Sequence, residues 1–342
     1  MAKYLLIKGH AGLGNRIFVL VTAILYAHLS DRILSVDWRD EFYSSNGHNI
    51  FGDLFSLKNS VEVNEIPQNA SLYPSIWHAH LEESVHIFKG QDAQLNKALG
   101  QDVFKKYSAD LSKINYPHDV LVVSGFIEQV ELLRKHFKGK FSYFKEMTKS
   151  ELFRYVFQEH LTLAPEIQKQ IRHFKEKFWG NHVIGIHIRY SDKTIGLTWY
   201  KKALSTYVEK FPNSTIFLAT DNRAVEEELS AQYPQLITME KWLPQAGIRA
   251  HGNPECPDLR EHAIQALLDI YLLAECDCLI YSRTTSFGLL ARYLSKAPED
   301  NIFDIQTYYD QRKRGFKDRI KTWLNKVFHK YEYLIARFRL GA

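Results

Sequence analysis

The first 40 residues alternate between short apolar runs and one long apolar run. The runs KYLLIK (Lys3–Lys8) and ILSVD (Ile33–Asp37) predict buried strands, and IFVLVTAILYAHL (Ile17–Leu29) predicts a core helix. This order predicts the opening βαβ unit of a parallel sheet, where ligands bind at the carboxyl ends of the strands. The intervening GHAGLGNR (Gly9–Arg16) is either a tight turn or a loop that approaches a ligand closely.

The alternation continues along the chain after one irregular stretch, residues 41–116, which is rich in Asn, Ser and aromatic residues. Strands are predicted at His118–Ser124, His182–Ile188, Thr215–Thr220 and Cys278–Tyr281, and helices at Glu128–Phe137, Pro165–Phe178, Tyr200–Phe211, Arg223–Gln232, Glu261–Ala274 and Ser286–Leu294. We therefore predict an α/β chain with two Rossmann-like domains, residues 1–165 and 166–310, and a tail, residues 311–342.

Composition narrows the class of protein. Hydrophobic residues make up 45% of the 342 positions, enough for a sizeable core, and the net charge of +5 is mild. The three cysteines, Cys256, Cys276 and Cys278, form no C-x-x-C pair, so neither a disulfide framework nor a structural metal is predicted. No basic leader and no window of about twenty apolar residues is found, which argues against a signal peptide or a membrane span. We expect a cytoplasmic protein.

Three predicted strands of the second half end in polar segments, which are HIRYSDK (His187–Lys193), ATDN (Ala219–Asn222) and SRTTSF (Ser282–Phe287). Because the carboxyl ends of parallel strands lie at one edge of a sheet, these segments are expected to meet. Arg189 can bind phosphate through two parallel hydrogen bonds, and the hydroxyls and N–H groups at the start of the last helix form an anion site. The set suits an anionic nucleotide.

The chain resembles the nodulation-protein-Z type of α-fucosyltransferase in five segments, in order: GLGNRIFVLVTAILYAHLSDRILSVDWR, IGIHIRYSDK, LATDNRAV, LLDIYLLAECD and TTSF. That group is related to the eukaryotic α-1,6-fucosyltransferases and more distantly to protein O-fucosyltransferases. The resemblance runs from about Leu5 to about Asp310 and is weakest from Ser44 to Tyr116. It implies a GT-B-like fold of two Rossmann-like domains facing a cleft, GDP-fucose as the donor, inversion at the sugar carbon, and no required metal or other cofactor.

The same resemblance assigns roles to individual residues. Arg189 would contact the donor diphosphate and stabilise the leaving group, and Asp221 would accept hydrogen bonds from guanine or ribose. The residues it places at the donor are Gly12, Gly14, Asn15, His187, Lys193, Asp221, Thr285, Ser286 and Phe287. These assignments agree with the anion-binding chemistry expected at the strand ends.

The general base is less well defined by the sequence. Asp192 is the nearest carboxylate in the motif, and Lys193 beside it matches the Asp-Lys pair of the eukaryotic enzymes. Where those enzymes carry a catalytic Glu, this chain has Leu197. Asp37 and Asp40 of the first domain are therefore alternatives.

Several candidates also fit a purely structural role. The glycine spacing of GHAGLGNR matches neither a dinucleotide fingerprint nor a Walker loop, so by itself it indicates a turn. Asp221 can cap the helix that follows it, as can the hydroxyls of residues 284–286, and His187 can be a hydrogen-bonded core residue. Asp269 lies among apolar residues and is expected to be a buried acid with its hydrogen bonds satisfied.

The tail, residues 311–342, carries ten Lys and Arg residues against Asp318 and Glu332. Apolar residues recur at spacings of three and four from Phe316 to Tyr331, which predicts a basic amphipathic helix. Such a helix either binds an anionic membrane surface, making the protein peripheral at the inner face of the membrane, or docks on the protein. No nucleic-acid motif accompanies the charge, so no nucleic-acid partner is expected.

The leading hypothesis is a metal-independent, inverting α-fucosyltransferase that moves L-fucose from GDP-fucose to a glycan hydroxyl. Family analogy suggests the C6 hydroxyl of GlcNAc on a surface polysaccharide or a lipid-linked oligosaccharide, although acceptor choice depends on loops. Two alternatives remain open: a GT-B glycosyltransferase that uses another nucleotide sugar, and a non-catalytic, membrane-associated sugar-binding module.

Overall fold

The computed structural model describes residues 2–44, 46–88, 104–191, 195–245, 248 and 252–313. The strands are β1 (Tyr4–Lys8), β2 (Ile33–Asp37), β3 (Phe55–Leu57), β4 (Leu72–Tyr73), β5 (Val120–Val123), β6 (Leu161–Leu163), β7 (Val183–Ile188), β8 (Thr215–Thr220), β9 (Leu236–Ile237), β10 (Cys278–Tyr281) and β11 (Ile302–Asp304). The helices are α1 (Leu13–Ser30), α2 (Phe51–Leu54), α3 (Phe104–Tyr107), α4 (Val130–Leu133), α5 (Lys149–Glu159), α6 (Pro165–Phe178), α7 (Leu197–Lys210), α8 (Arg223–Gln232), α9 (Leu259–Ala274) and α10 (Ser286–Leu294), and residues 305–313 are also helical.

Two parallel sheets organise the described residues, which confirms the predicted α/β class. The first sheet has the order β2-β1-β5-β4 and the second has the order β11-β10-β7-β8-β9, while β3 and β6 form a separate antiparallel pair. β7, the middle strand of the second sheet, has the sequence VIGIHI and is buried at all six positions. Such continuous apolar runs are typical of parallel strands that are covered on both faces.

Hydrophobic residues cover both faces of each sheet. Successive side chains of a strand point to opposite faces, so Val183 belongs to one cluster while Ile184 and Ile186 belong to another. The largest cluster contains Leu5 of the first sheet and Leu290 of α10, and α1 contacts both α10 and α5. The two halves thus share one core, and the division at residue 165 stays a prediction.

Helix α1 is the main support of the first sheet. By length and composition it is the one helix of the described residues that could cross a membrane, a property that the pattern did not predict. However, 78% of its span is buried inside the protein, as is typical of the core helix of a globular domain. The tail lies almost entirely outside the described residues, so its predicted helix stays a prediction.

Some helices and strands begin or end at residues other than the predicted ones, at places where helix capping or long-range contacts set the boundary. Helix α1 begins at Leu13 rather than Ile17, because Gly12 adopts an extended N-cap conformation (φ −69°, ψ 163°). Gly14 and Asn15 therefore lie in the first helical turn, not in a loop. The prediction missed α5, although its capping box of Thr148 and Glu151 is readable from the sequence.

Candidate active site

A cavity of about 830 Å³, open to solvent, lies at the carboxyl ends of β7 and β8 and at the starts of α1 and α10. Eight of the eleven candidate residues line the cavity: Gly12, Gly14, Asn15, His187, Arg189, Asp221, Ser286 and Phe287. Thr285 lies behind its wall, and Asp192 and Lys193 fall outside the described residues.

The starts of α1 and α10 touch at the cavity. A Cβ atom added to Gly14 would lie 3.0 Å from the carbonyl carbon of Ser286 and 3.1 Å from the backbone nitrogen of Phe287, so a larger residue would require the start of α10 to shift by a few tenths of an ångström. The N–H groups of a first helical turn have no partner within the helix, and the helix dipole adds partial positive charge there. Together with Arg189, two helix N-termini therefore form a site suited to an anion such as a diphosphate.

The loop before α1 is wrapped around the buried guanidinium of Arg16. This group donates hydrogen bonds to the carbonyl oxygens of Ala11 (3.0 Å) and Trp38 (3.2 Å), and it forms an ion pair with Asp40. A Cβ atom on Gly9 would lie 2.9 Å from the Cα atom of Trp38, so this glycine is needed for the close packing. GHAGLGNR is thus a buried turn that also presents a helix N-terminus to the cavity.

Tyr43 fixes the start of α1 and was missed by the sequence analysis. Its hydroxyl accepts a hydrogen bond from the backbone N–H of Leu13 at 2.8 Å, and the guanidinium of Arg16 lies 4.7 Å from the centre of its ring. Burial raises the pKa of Tyr43 to about 12, so the phenol stays neutral. Tyr43 lies at the beginning of the irregular stretch, residues 41–116, and no spacing in the sequence marks it as a cavity residue.

His187 is a neutral group in the wall of the cavity. Its ring stacks on that of Phe287 with 4.8 Å between centroids, and its Nδ1 atom lies 3.5 Å from the hydroxyl of Thr285. Burial, together with the positive charges of Arg189 and Lys241, lowers the pKa of His187 to about 3. His187 can therefore offer a neutral hydrogen bond to a ligand but not a positive charge.

Thr285 performs the capping role that remained open in the sequence analysis. It is the N-cap of α10, and its hydroxyl accepts a hydrogen bond from the N–H of Gly288 at 3.2 Å and donates one to the carbonyl of Ser282 at 3.0 Å. Only 3% of Thr285 is exposed. Its hydroxyl thus holds the first turn of α10 in place behind Ser286 and Phe287.

Asp221, which directly follows β8, is hydrogen-bonded to the two residues that follow Arg189. Its carboxylate accepts hydrogen bonds from the N–H of Tyr190 at 2.7 Å and from the hydroxyl of Ser191 at 2.5 Å. The cap of α8 is Asn222, so the capping role considered for Asp221 is wrong. Asp221 lines the cavity, and its contact with guanine or ribose stays a prediction.

The two alternative bases of the first half are engaged in buried ion pairs. Asp37 accepts a hydrogen bond from the ammonium of Lys8 at 2.6 Å, and Asp40 pairs with Arg16. Burial would raise the pKa of Asp40, but His86 and Arg16 outweigh this effect and hold the pKa below its usual value. Neither carboxylate lines the cavity, which weakens both as candidates for the base.

The further cavity residues that were not identified as such from the sequence include Lys241, Trp242, His262, Gln265 and Asp269. The last three are spaced i, i+3 and i+7 on α9 and form a polar stripe between apolar residues, a pattern that the sequence does show. The Lys241 ammonium pairs with Oδ2 of Asp269, and both side chains are buried. Asp269 is thus a buried acid with an ion-pair partner, while its Oδ1 atom has no hydrogen-bond partner in the described part of the chain.

Three histidines are expected to make the fold sensitive to acid. Burial lowers the pKa of His187 to about 3 and those of His160 and His262 to about 4, against about 6.5 in an unfolded chain. Below about pH 6.5 the unfolded chain binds protons that the folded chain does not, so stability is lost as the pH falls toward these values. Urea unfolding should give a lower free energy of unfolding near pH 5 than near pH 7.

His187→Gln should reduce this loss by about 1 to 2 kcal/mol, because it removes one group whose pKa changes on unfolding. A pH dependence identical to that of the parent protein would show that His187 does not stay neutral in the fold.

The chain matches a family model and relatives of known name. The family model described as Nodulation protein Z (NodZ) matches residues 146–312. Nodulation protein Z of Azorhizobium caulinodans is 25% identical over 316 residues, which cover 82% of this chain and 86% of the relative. The matched region of the family model contains the strand ends and helices α9 and α10 that form most of the cavity.

Two solved structures share the fold. The crystal structure of NodZ alpha-1,6-fucosyltransferase soaked with GDP-fucose matches this chain with a TM-score of 0.57 at 20% identity. The match covers 86% of this chain and 93% of that chain. The crystal structure of POFUT1 in complex with GDP-fucose matches this chain with a TM-score of 0.51 at 12% identity. That match covers 89% of this chain and 97% of the POFUT1 chain. The resemblance drawn from the five sequence segments is confirmed: the chain is similar to nodulation protein Z.

Proposed function

We propose that this protein is a fucosyltransferase that moves L-fucose from GDP-fucose to a hydroxyl of a glycan acceptor, with inversion at the sugar carbon and without a metal. The kinship with NodZ supports this function, as do the solved relatives that hold GDP-fucose. The observation that carries it is the convergence of Arg189 with the starts of α1 and α10 in one cavity. The two parallel sheets then correspond to the two domains of a GT-B-like architecture.

The transfer reaction depends more on stabilisation of the leaving group than on covalent catalysis by the protein. The bond between the sugar carbon and the diphosphate oxygen breaks, and negative charge develops on the diphosphate. Arg189 and the N–H groups of two helix starts are placed to stabilise that charge, and one such donor contributes roughly 3 to 4 kcal/mol. The acceptor hydroxyl attacks the opposite face of the sugar carbon, and its proton passes to a base.

A donor screen tests this function directly. We expect GDP-fucose to raise the melting temperature and to be consumed in the presence of glycan acceptors, with GDP-mannose and UDP-sugars less effective. Acceptors with a free GlcNAc C6 hydroxyl, free or lipid-linked, are the first to test. EDTA should leave the activity unchanged, and a strict need for metal would contradict the proposal. No response to any nucleotide sugar would favour a non-catalytic binding module.

We propose Asp192 as the base that takes the proton of the acceptor hydroxyl. Its support is its place three residues after Arg189, together with the ion pairs that engage Asp37 and Asp40. Asp192→Asn should lower turnover by roughly 100-fold or more and remove the acidic limb of the pH-rate profile. If the variant keeps that limb, another group is the base.

We propose that the tail, residues 311–342, holds the enzyme at an anionic membrane surface. Each Lys or Arg close to an anionic membrane surface contributes about 1 kcal/mol of attraction. Even if only some of the ten cations of the tail contact the surface, the total is sufficient for reversible binding. Truncation after Asp310 should abolish co-sedimentation with vesicles containing anionic lipid but leave turnover of a soluble acceptor within about twofold of the full chain. Equal vesicle binding by the two proteins would instead indicate that the tail docks on the protein.

A further inference from the structure

Exposed apolar side chains are concentrated in one short stretch of the first half. Of the five large hydrophobic residues that are exposed in the described ranges, three lie within it: Ile127 (43%), Leu132 (42%) and Tyr143 (49%). Single exposed apolar residues are common on protein surfaces, but a group of them surrounded by polar residues marks a contact surface. None of the three lines the cavity, so this stretch indicates a second functional surface.

Lysines surround these apolar side chains. Residues 132–145 contain no Asp or Glu, and they carry four exposed lysines: Lys135, Lys138, Lys140 and Lys145. None of the four forms an ion pair with another residue of the described ranges, whereas the neighbouring Glu131 is paired with Arg134. We call Leu132, Tyr143 and the four lysines the basic face.

Buried aromatic side chains turn the basic face outward. The rings of Phe137 and Phe144 lie 5.4 Å apart in the hydrophobic core, and each residue is at most 2% exposed, so their neighbours in the chain project from the protein. The guanidinium of Arg134 donates hydrogen bonds to the carbonyl oxygens of Lys145 (2.8 Å) and Met147 (2.9 Å), which joins the beginning of the stretch to its end. The exposed side chains are thus held on a folded support.

The chemistry of the basic face fits an anionic membrane better than a protein partner. Protein–protein interfaces are enriched in Arg and depleted of Lys, and Arg134 is turned toward backbone carbonyls. A lysine stem can lie along the apolar boundary of a bilayer while its ammonium reaches the phosphates of the head groups. A tyrosine such as Tyr143, apolar in its ring and polar at its tip, is typical of the same depth.

We propose that the basic face is a second membrane contact, in which Leu132 and Tyr143 insert at the head-group boundary and the four lysines bind the phosphates of anionic lipids. The inference rests on the membrane attachment proposed for the tail, residues 311–342. Because the tail carries ten cations and the face four, the tail supplies the main attraction and raises the effective concentration of the face at the bilayer. Two contacts restrict rotation of the protein on the membrane and hold the cavity in one orientation.

A fluorophore attached to the full chain tests insertion. All three native cysteines are buried, so a cysteine introduced on the surface can be labelled selectively. Tyr143→Cys with an environment-sensitive label should show blue-shifted emission with vesicles of phosphatidylglycerol and phosphatidylcholine, but not with phosphatidylcholine alone. Leu132→Cys gives a second site with the same expectation. Ser230→Cys, at an exposed position of α8, is the matched control and should show no shift.

Removal of charge from the full chain tests the lysines. Lys138→Gln combined with Lys140→Gln should weaken binding to the anionic vesicles by roughly 10- to 25-fold, because each lysine near the surface contributes up to about fivefold. The matched control is Lys169→Gln combined with Lys177→Gln, at exposed positions of α6, which packs against the second sheet. It removes the same charge and should weaken binding by less than about threefold, since distant charges are screened by salt.

The outcomes separate this inference from the proposals on which it rests. Equal vesicle affinities of the two double variants, or labels at positions 132 and 143 that do not shift with anionic vesicles, overturn the inference while the attachment of the tail stands. If the parent protein binds no anionic vesicles, the attachment of the tail fails as well, and the donor screen still decides the transfer of fucose. A shift of both labels together with the loss of affinity supports the inference.

Discussion

Arg189→Lys is expected to lower turnover by at least roughly 100-fold while the protein remains folded. Lysine keeps the positive charge but loses the planar, two-pronged geometry with which a guanidinium holds two diphosphate oxygens. Because the charge on the diphosphate develops as the sugar leaves, kcat should fall more than the affinity for GDP. Steady-state kinetics and GDP titration measure the two effects separately.

Arg223→Lys provides a control for this prediction. Arg223 is exposed at the start of α8, where it pairs with Glu226 outside the cavity, and the same exchange there should leave kcat unchanged. Near-normal turnover of Arg189→Lys would show that Arg189 acts only as a point charge or does not contact the diphosphate. Equal losses in GDP affinity and in kcat/KM would place its contact in the ground state instead.

Gly14→Val is expected to reduce turnover by about 100-fold through geometry rather than through lost chemistry. A Cβ atom at this position would lie only 3.0 Å from the Ser286 carbonyl carbon, and the branched side chain would force the starts of α1 and α10 apart. A misplacement of about 1 Å in a catalytic arrangement can cost this much. Affinity for GDP should fall together with kcat, because both helix starts face the anion.

Gly52→Val isolates the effect of position from that of residue type. Gly52 is also helical, in α2, and no atom lies within 4 Å of a Cβ atom added there. This variant carries the same modest cost of a β-branched residue in a helix and should keep full activity. If Gly14→Val retains full activity with a normal melting temperature, the two helix starts do not form the donor site.

Much of the fold follows from local patterns. Helix α6 and strands β2, β8 and β10 have the predicted bounds, because each is a run of regular period between strong turn signals. β3 and β6 were missed because each is three residues long and depends on a partner roughly 100 residues away. Long-range pairing of short strands leaves almost no trace in a single sequence.

The sequence also indicated one side of the cavity, since residues that end parallel strands must share an edge. It placed Arg189, Asp221 and Ser286 together by this rule alone, and the cavity contains all three. The sequence could not show the hydrogen-bond and ion-pair partners of these side chains. The carboxylate of Asp221 faces the backbone of Tyr190, and the Asp269 carboxylate meets Lys241 from a different element.

The sequence by itself determined the α/β class, the resemblance to nodulation protein Z and the anion-binding character of the strand ends, because these depend on period, residue type and order. Only the tertiary structure decided which of those residues act together. It brought Gly14 against Ser286, buried Arg16 beneath the glycine loop and placed the unpartnered oxygen of Asp269 in the cavity wall. Such contacts join residues far apart in the chain, and their geometry is set by the packing of whole helices and sheets.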